Sequence, residues 1–370
     1  MKFEIQKEVL IHAVGVVIKA ISPKVSVPIL SGLKITATSK EIIFVGSNND
    51  ISIQKTVPLE ENGDEKAKVH EEGSVVLNAK FLSELVRKLP KDDISFTVEK
   101  NNVTKIKSGM SVFSLNGFPA EEYPKLPEIE GEADFTFSAG DLNSIVKQTA
   151  FAAATSELRP ILTGINLNLK DGLKAIVTDS HRLAIKELKL AGEDRNVTIP
   201  AKALIELSKV FEDQEEQVEV ILKDTQALFK SHNLLFYSRL LDGTFPEVSR
   251  LLPTTFNTTL KVDRKGLSAA LNRCSLIESK NKVVVLEVKD KQAVLTVSSP
   301  EVGQIEEYLE DFEIEGKDIK IAFSYKFTQD ALSAFEDEKV QFQFVEALRP
   351  FIIKGEKCDS VTQLVLPVRT

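Results

Sequence analysis

Pro160-Ile161-Leu162-Thr163-Gly164 opens the stretch whose reading decides the fold, and the chain carries an earlier copy of it, Pro28-Ile29-Leu30-Ser31-Gly32. Each block leads into alternating apolar positions: Ile165, Leu167 and Leu169 in one, Leu33, Ile35 and Ala37 in the other. A turn follows, at Asp171-Gly172 and near Ser39. A second strand signal then runs Val177-Thr178-Asp179-Ser180-His181-Arg182-Leu183-Ala184-Ile185 against Val45-Gly46-Ser47-Asn48-Asn49-Asp50-Ile51-Ser52-Ile53. The offset stays at 132 residues, from Pro28 to Pro160. A strand-turn-strand pattern repeated at fixed spacing marks a duplicated supersecondary unit.

Outward from this repeat, a strand-then-helix pattern occurs three times. Phe3-Glu4-Ile5-Gln6 leads into apolar Val9, Leu10, Ala13, Val14, Val17 and Ile18, at helical spacing to about Ala20. Phe135-Thr136-Phe137-Ser138 leads into Leu142, Ile145 and Val146, and Leu260-Lys261-Val262-Asp263 into Leu267, Ala270 and Leu271. A second helix also recurs, carrying Lys80, Lys202 and Lys326 in register, with Asn78 and Ser324 as N-caps and Pro200 suited to a first turn. Alternating strand runs follow each helix. Helices separated by antiparallel meanders predict an α+β fold rather than a doubly wound parallel sheet. The Pro/Glu-rich stretch 121–131 and the stretch 253–259 divide the chain into three similar domains, residues 1–129, 130–255 and 256–370, with six helices in all.

At 370 residues, 42% of them hydrophobic, the chain is long enough for several cores. Its net charge of -8 argues against indiscriminate nucleic-acid binding unless basic residues are segregated. The six helical windows, 7–20, 78–89, 139–153, 201–211, 263–274 and 325–335, hold twelve Lys/Arg against six Asp/Glu. The remainder holds 35 basic against 49 acidic residues. Helices on one face would attract phosphates while the sheets repel them. Lys and Arg are also good helix formers, so the same bias suits solvated helix faces. Cys274 and Cys358 form neither a disulfide framework nor a zinc motif. The opening strand is unlike a signal peptide and no apolar run reaches spanning length, so a cytoplasmic protein without membrane contact is expected.

Thr178-Asp179-Ser180-His181-Arg182 has the residue types of a hydrolase site. Neighbouring residues of one turn rarely build a nucleophile-base-orienter geometry, and no Gly-x-Ser-x-Gly surrounds Ser180. The four histidines, His12, His70, His181 and His232, offer no paired metal-ligand spacing, and no phosphate-binding glycine motif is present. No catalytic residue, metal or cofactor is expected. The apolar terminus Leu364-Val365-Leu366-Pro367-Val368-Arg369 reads as a closing strand. Near Leu183, Pro246 and Leu251 it would complete an apolar pocket for a short peptide, rimmed by Arg182 and Arg369.

These residues together resemble the bacterial sliding clamp family, the beta subunit of DNA polymerase III. The resemblance spans the chain, through Pro28-Ile29-Leu30, Asn78-Ala79-Lys80, Thr178 to Leu183, Leu241-Asp242-Gly243-Thr244-Phe245-Pro246 and Leu366-Pro367-Val368-Arg369. It implies the DNA clamp fold: three similar domains per subunit and a head-to-tail homodimer closed into a ring, with helices on the inner face and sheets outside. It implies a processivity factor in DNA replication, not an enzyme, encircling double-stranded DNA. It also implies a peptide-binding pocket of Leu162, Thr178, His181, Arg182, Leu183, Pro246, Leu251, Leu364, Leu366, Val368 and Arg369. Motifs of the replicative polymerase, the clamp loader and repair proteins would dock there. DNA contacts would come from Lys24, Lys80, Lys202, Lys280, Lys282 and Lys326. The dimer interface would set Phe113 and Leu115 against Leu276 and Ile277, with Glu301, Glu306 or Glu307 opposite unassigned basic partners. Ser180 stands where the family usually has Gly, Leu366 and Val368 where Met is common, and Ser324 where Asn is common; branched side chains adapt their shape less than Met.

Overall fold

The computed structural model describes residues 1–22, 27–90, 92–277 and 282–369. Among the described residues, six α-helices occupy the expected windows: α1 Lys7–Val17, α2 Ala79–Lys88, α3 Ala139–Thr149, α4 Ala201–Ser208, α5 Arg264–Cys274 and α6 Tyr325–Ser333. Their ends are tighter than the apolar spacing suggests. The last turns of the first and third windows are 3-10 helices, Ile18–Ala20 and Ala150–Ala152. Asn78 and Ser324 cap as expected, their side chains accepting the N–H groups of Phe81 at 2.9 Å and Phe327 at 3.3 Å. Asp263 caps α5 in the same way, accepting from Gly266. Pro200 ends the strand before α4 instead of entering the helix.

The chain divides into two compact units, Met1–Ala139 with Ala203–Leu240, and Gly140–Lys202 with Leu241–Thr370. In the first, a five-stranded sheet runs from the edge strand Ser111–Asn116 to Ala67–Glu71, beside an eight-stranded sheet. Within the latter, Leu234–Arg239 pairs antiparallel with Ile51–Pro58. In the second unit, a four-stranded sheet has Gly303–Tyr308 at one edge, and a nine-stranded sheet pairs Arg182–Leu188 antiparallel with Val361–Val365. Each long sheet therefore joins strands from different sequence thirds, and the central third contributes to both units.

Local chemistry explains why the repeat folds identically twice. Pro28–Ser31 and Pro160–Thr163 are both 3-10 turns with Pro at the start, where its missing N–H costs nothing. Ser31 Oγ donates to Pro28 O and Thr163 Oγ1 to Pro160 O, each at 2.7 Å. The glycine that follows lies against a neighbouring strand. A Cβ on Gly32 would sit 2.5 Å from Val76 Cγ1, and one on Gly164 2.5 Å from Thr198 Cγ2. Close approach, not unusual backbone torsion, demands glycine at both places.

Burial follows the same pattern. In the second unit, Leu267, Ala270 and Leu271 of α5 and Ala331 and Leu332 of α6 pack with Phe323, Phe342, Phe344 and Phe351. The Phe342 and Phe351 rings stack with centroids 5.9 Å apart. Each such ring taken wholly from water stabilises the fold by about 1.5–3 kcal/mol. Among the described residues no helix is long and apolar enough to cross a membrane.

Candidate functional site

The turn Thr178–Arg182 is built almost entirely from its own side chains. Thr178 Oγ1 donates to Arg182 O at 2.6 Å and accepts the Ser180 N–H at 3.1 Å. Asp179 Oδ1 accepts the N–H groups of His181 at 2.9 Å and Arg182 at 3.1 Å. This Asx geometry forces Ser180 into the left-handed region, φ 77°. There a Cβ costs about 1–2 kcal/mol and glycine costs none.

The hydrolase alternative does not assemble. Ser180 Oγ accepts from Arg159 Nη1 at 3.4 Å, and the exposed His181 ring lies against Phe327 of α6, centroids 6.4 Å apart. The second Asp179 oxygen accepts Arg182 Nε at 2.9 Å. Nucleophile, base and carboxylate thus face three different partners, and none activates another.

The carboxyl-terminal segment closes the site from the other side. Leu183 and Leu364 are direct partners across the two strands. Beyond Val365 the backbone continues alongside the turn, Leu366 N donating to His181 O at 3.0 Å and Val368 N to Ala322 O at 2.8 Å. An apolar cluster of Leu183, Ile185, Val248, Ile352 and Leu364 lies here, with Ile176, Phe245, Leu252 and Phe256 against it. The stretch 245–256 thus lies over the sheet where its central strands meet.

The eleven expected pocket residues sort by exposure. Leu162, Thr178, Leu183 and Leu364 are buried and form foundations rather than free lining. Pro246, Leu366 and Val368 are half-buried, while His181, Leu251 and Arg369 are exposed. Leu251, about half exposed, is the most available apolar side chain of the set. Arg182, expected at the pocket rim, has its guanidinium engaged within the chain. Its side chain is only 10% exposed, because Asp179, Asp330 and the Phe151 carbonyl all accept from its guanidinium. The guanidinium also lies over the rings of Phe327, at 4.5 Å, and Phe151, at 5.6 Å. Asp330, Phe327 and Phe151 were invisible to motif reading, since only the tertiary fold brings them to residue 182.

Among the described residues, the space beside the first copy of the repeat is filled. Tyr123 is buried among Ile29, Leu30, Val45 and Val76, and its hydroxyl donates to Gly32 O at 3.3 Å. Burial pushes its pKa up to about 12. Counted from the matching Phe118-Pro119 and Phe245-Pro246 pairs, the second copy has Arg250 at this position, exposed and followed by exposed Leu251. Tyr123 thus packs into the first copy, and the second has no buried tyrosine at the matching position. A separate depression, lined by Thr136, Gln217, Glu219, Lys230, Ser231 and His232, is polar, and its Lys230–Glu219 ion pair closes at 3.2 Å.

Lys80, Lys202 and Lys326 are exposed and each is the second residue of its helix, in α2, α4 and α6. A cation in the first turn opposes the helix dipole by a few tenths of a kcal/mol, so helix stability does not select it. None of the three makes an ion pair among the described residues. Other helix cations are engaged: Lys147 with Glu336, Lys209 with Glu206 and Arg273 with Glu307. Burial holds the Lys19 ammonium below the ordinary lysine pKa. Lys282 is exposed, at φ 53°. Lys24 and Lys280 lie outside the described residues.

Of the expected interface residues, Phe113 and Leu115 are half-buried on the edge strand Ser111–Asn116, and Leu276 is three-quarters exposed after α5. Ile277 is instead buried in the core of its own unit, held there by packing against the α5 side of that core. Glu307 is satisfied within the chain by both Arg273 Nε at 2.6 Å and Arg273 Nη2 at 2.7 Å.

Three family models, for the N-terminal, central and C-terminal domains of the DNA polymerase III beta subunit, match residues 1–127, 136–247 and 249–369. The chain belongs to the bacterial sliding clamp family. It is 42% identical to the beta sliding clamp of Bacillus subtilis, with 100% of both chains covered. The crystal structure of the Bacillus subtilis clamp superposes at TM-score 0.96, covering 100% of this chain and 99% of that one. A Pseudomonas aeruginosa clamp bound to griselimycin is 26% identical, at TM-score 0.93 over 100% of both chains. The fold is therefore the α+β clamp fold with three repeated domains, and the family is a non-enzymatic processivity factor. Ser180 and His181 are therefore residues of a non-enzymatic clamp.

Proposed function

We propose that two copies of this chain, each with domains 1–129, 130–255 and 256–370, pair head to tail into a ring around double-stranded DNA. The ring tethers the replicative polymerase, the clamp loader and repair proteins through the apolar site beside Thr178–Arg182, in the cytoplasm at the nucleoid. The protein itself is a DNA-replication processivity clamp. Tethering raises the polymerase's effective concentration at the primer end, so a modest peptide affinity suffices.

The observation that carries the pocket reading is the joining of the Arg182–Leu188 and Val361–Val365 strands, with exposed Leu251 and half-buried Leu366 and Val368 beside them. The ring reading is supported by two free sheet edges, Ser111–Asn116 and Gly303–Tyr308, whose unpaired backbone groups suit strand-to-strand docking. Phe113, Leu115 and exposed Val112 on the first, with Leu276 and exposed Tyr308 near the second, would supply its apolar contacts. Lys80, Lys202, Lys282 and Lys326 are the cations placed to meet phosphates, and Lys24 and Lys280 join them by family resemblance.

The test is the length of product made by the cognate polymerase on a primed circular template with loader and ATP. The wild-type protein is expected to lengthen products, and Leu251→Asp together with Leu366→Asp to abolish the gain. Unchanged product length with that variant would refute the pocket.

A further inference from the structure

Arg182 is held from every side, and what holds it lies mostly outside the turn. Of its five N–H donors, Nε goes to Asp179 Oδ2 at 2.9 Å, Nη1 to Asp330 Oδ2 at 2.6 Å, and Nη2 to the Phe151 carbonyl. The Phe327 ring lies beneath the guanidinium, 4.5 Å from its carbon. Asp330 and Phe327 stand one helical turn apart on α6. A guanidinium so engaged is not free to follow a ligand. It fixes the first residue of the strand Arg182–Leu188, and the residue before it, His181, both rests on Phe327 and accepts the Leu366 N–H.

The fold itself does not require this arrangement, as the first copy of the repeat demonstrates. With the helices aligned from their first residues, Lys7 with Ala139 and Ala201 with Tyr325, the positions of Phe151, Arg182, Phe327 and Asp330 are taken by Lys19, Asp50, Ala203 and Glu206. Asp50 and Glu206 are both acidic and cannot pair, and Ala203 offers no ring. The corresponding strands nevertheless close normally, Ile51–Pro58 pairing with Leu234–Arg239 and Arg239 N donating to Asp50 O at 3.0 Å. Among the described residues, the Arg182–Asp330 pair thus stands in the copy beside the apolar cluster of Leu183 and Leu364 and has no counterpart in the other.

We propose that Asp330 is a positioning residue of the peptide pocket: from α6 it locks Arg182, and through Arg182 it sets His181 and the Leu366 backbone that form the pocket wall. The inference rests on the pocket reading above. Asp330 itself need not touch the bound peptide. Its carboxylate neutralises the guanidinium and fixes its direction, which a neutral acceptor does more weakly.

The test is fluorescence anisotropy on the full chain, with a fluorescein-labelled peptide copied from the clamp-binding motif of the replicative polymerase and with labelled griselimycin as a second probe. Asp330→Ala, Asp330→Asn, Arg182→Ala and the Arg182/Asp330 double alanine variant are compared, with thermal unfolding of each. Asp330→Asn keeps the side-chain volume should the alanine variant fail to fold. Loss of the charged partner is expected to weaken binding about tenfold. The double variant should bind no worse than Arg182→Ala, because Asp330 acts through that residue. Wild-type binding with unchanged affinity in both Asp330 variants overturns the proposal, as does an Asp330→Ala loss that persists in full without Arg182. If the wild-type protein binds neither probe, the pocket reading falls and the inference falls with it.

Discussion

Tyr123 offers a pH-dependent measure of how firmly the first copy of the repeat is sealed. Its ring is buried, its hydroxyl donates to Gly32 O at 3.3 Å, and burial raises its pKa from 10.0 to about 12. An ionised phenolate is therefore disfavoured in the folded chain. The raised pKa means that the tyrosine's contribution is complete below pH 10 and is lost as pH rises towards 12. At about 1.4 kcal/mol for each pH unit, the whole window is worth about 3 kcal/mol. Tyr123→Phe keeps the ring and removes both the hydrogen bond and the titration. At pH 8.5 the wild-type protein should be the more stable by about 1 kcal/mol, the worth of one neutral hydrogen bond. Its advantage should shrink above pH 10 and reverse near pH 11, where the wild type has lost about 1.4 kcal/mol. Urea unfolding of both proteins from about pH 8.5 to 11.5, a range that starts below the window and passes the expected crossover near pH 11, measures this directly, since other titrating groups are common to the two. A difference that stays constant across the range would refute the claim that burial of Tyr123 seals this copy.

Other outcomes follow from the site geometry. Ser180→Gly relieves a left-handed residue at φ 77° but increases the freedom of the unfolded chain, so a net gain of up to about 1 kcal/mol is expected in thermal unfolding. Ser180→Val should lower the unfolding temperature, because a β-branched side chain fits this torsion worse. Reversing Lys80, Lys202 and Lys326 to Glu should weaken DNA association and flatten its salt dependence while leaving peptide binding unchanged; a salt slope equal to the wild type's would remove these lysines from the DNA surface.

Much of the fold was legible because local periodicity and tertiary packing agree. Leu10, Leu142 and Leu267 mark three helices in register, and all three are buried where the spacing places them. Helix ends were less legible: Ile18–Ala20 and Ala150–Ala152 keep helical apolar spacing but tighten into 3-10 turns. The division into units was not readable either, since the pairing of Leu234–Arg239 with Ile51–Pro58 depends on strands far apart in sequence. The apolar terminus and the Thr178–Arg182 turn stood out in the sequence because both combine unusual residues with the repeat, and the structure brings them side by side. The partners of Arg182 were not visible. Nothing local indicates that Asp330, 148 residues away, takes its Nη1 proton donor, or that Phe327 lies beneath it. Ile277 likewise followed exposed Leu276 as an apolar pair, yet burial separates the two.

The central claim is topological and so is its most direct test. The protein is loaded onto nicked circular DNA by the cognate loader with ATP, then washed in high salt before and after the circle is cut. A ring held by linkage stays on the circle and is lost on cutting, because salt dissolves an electrostatic complex but not a closed link. Equal loss from circular and cut DNA, with loader and ATP shown to be active, would contradict the account and leave a peptide-binding scaffold that does not encircle DNA.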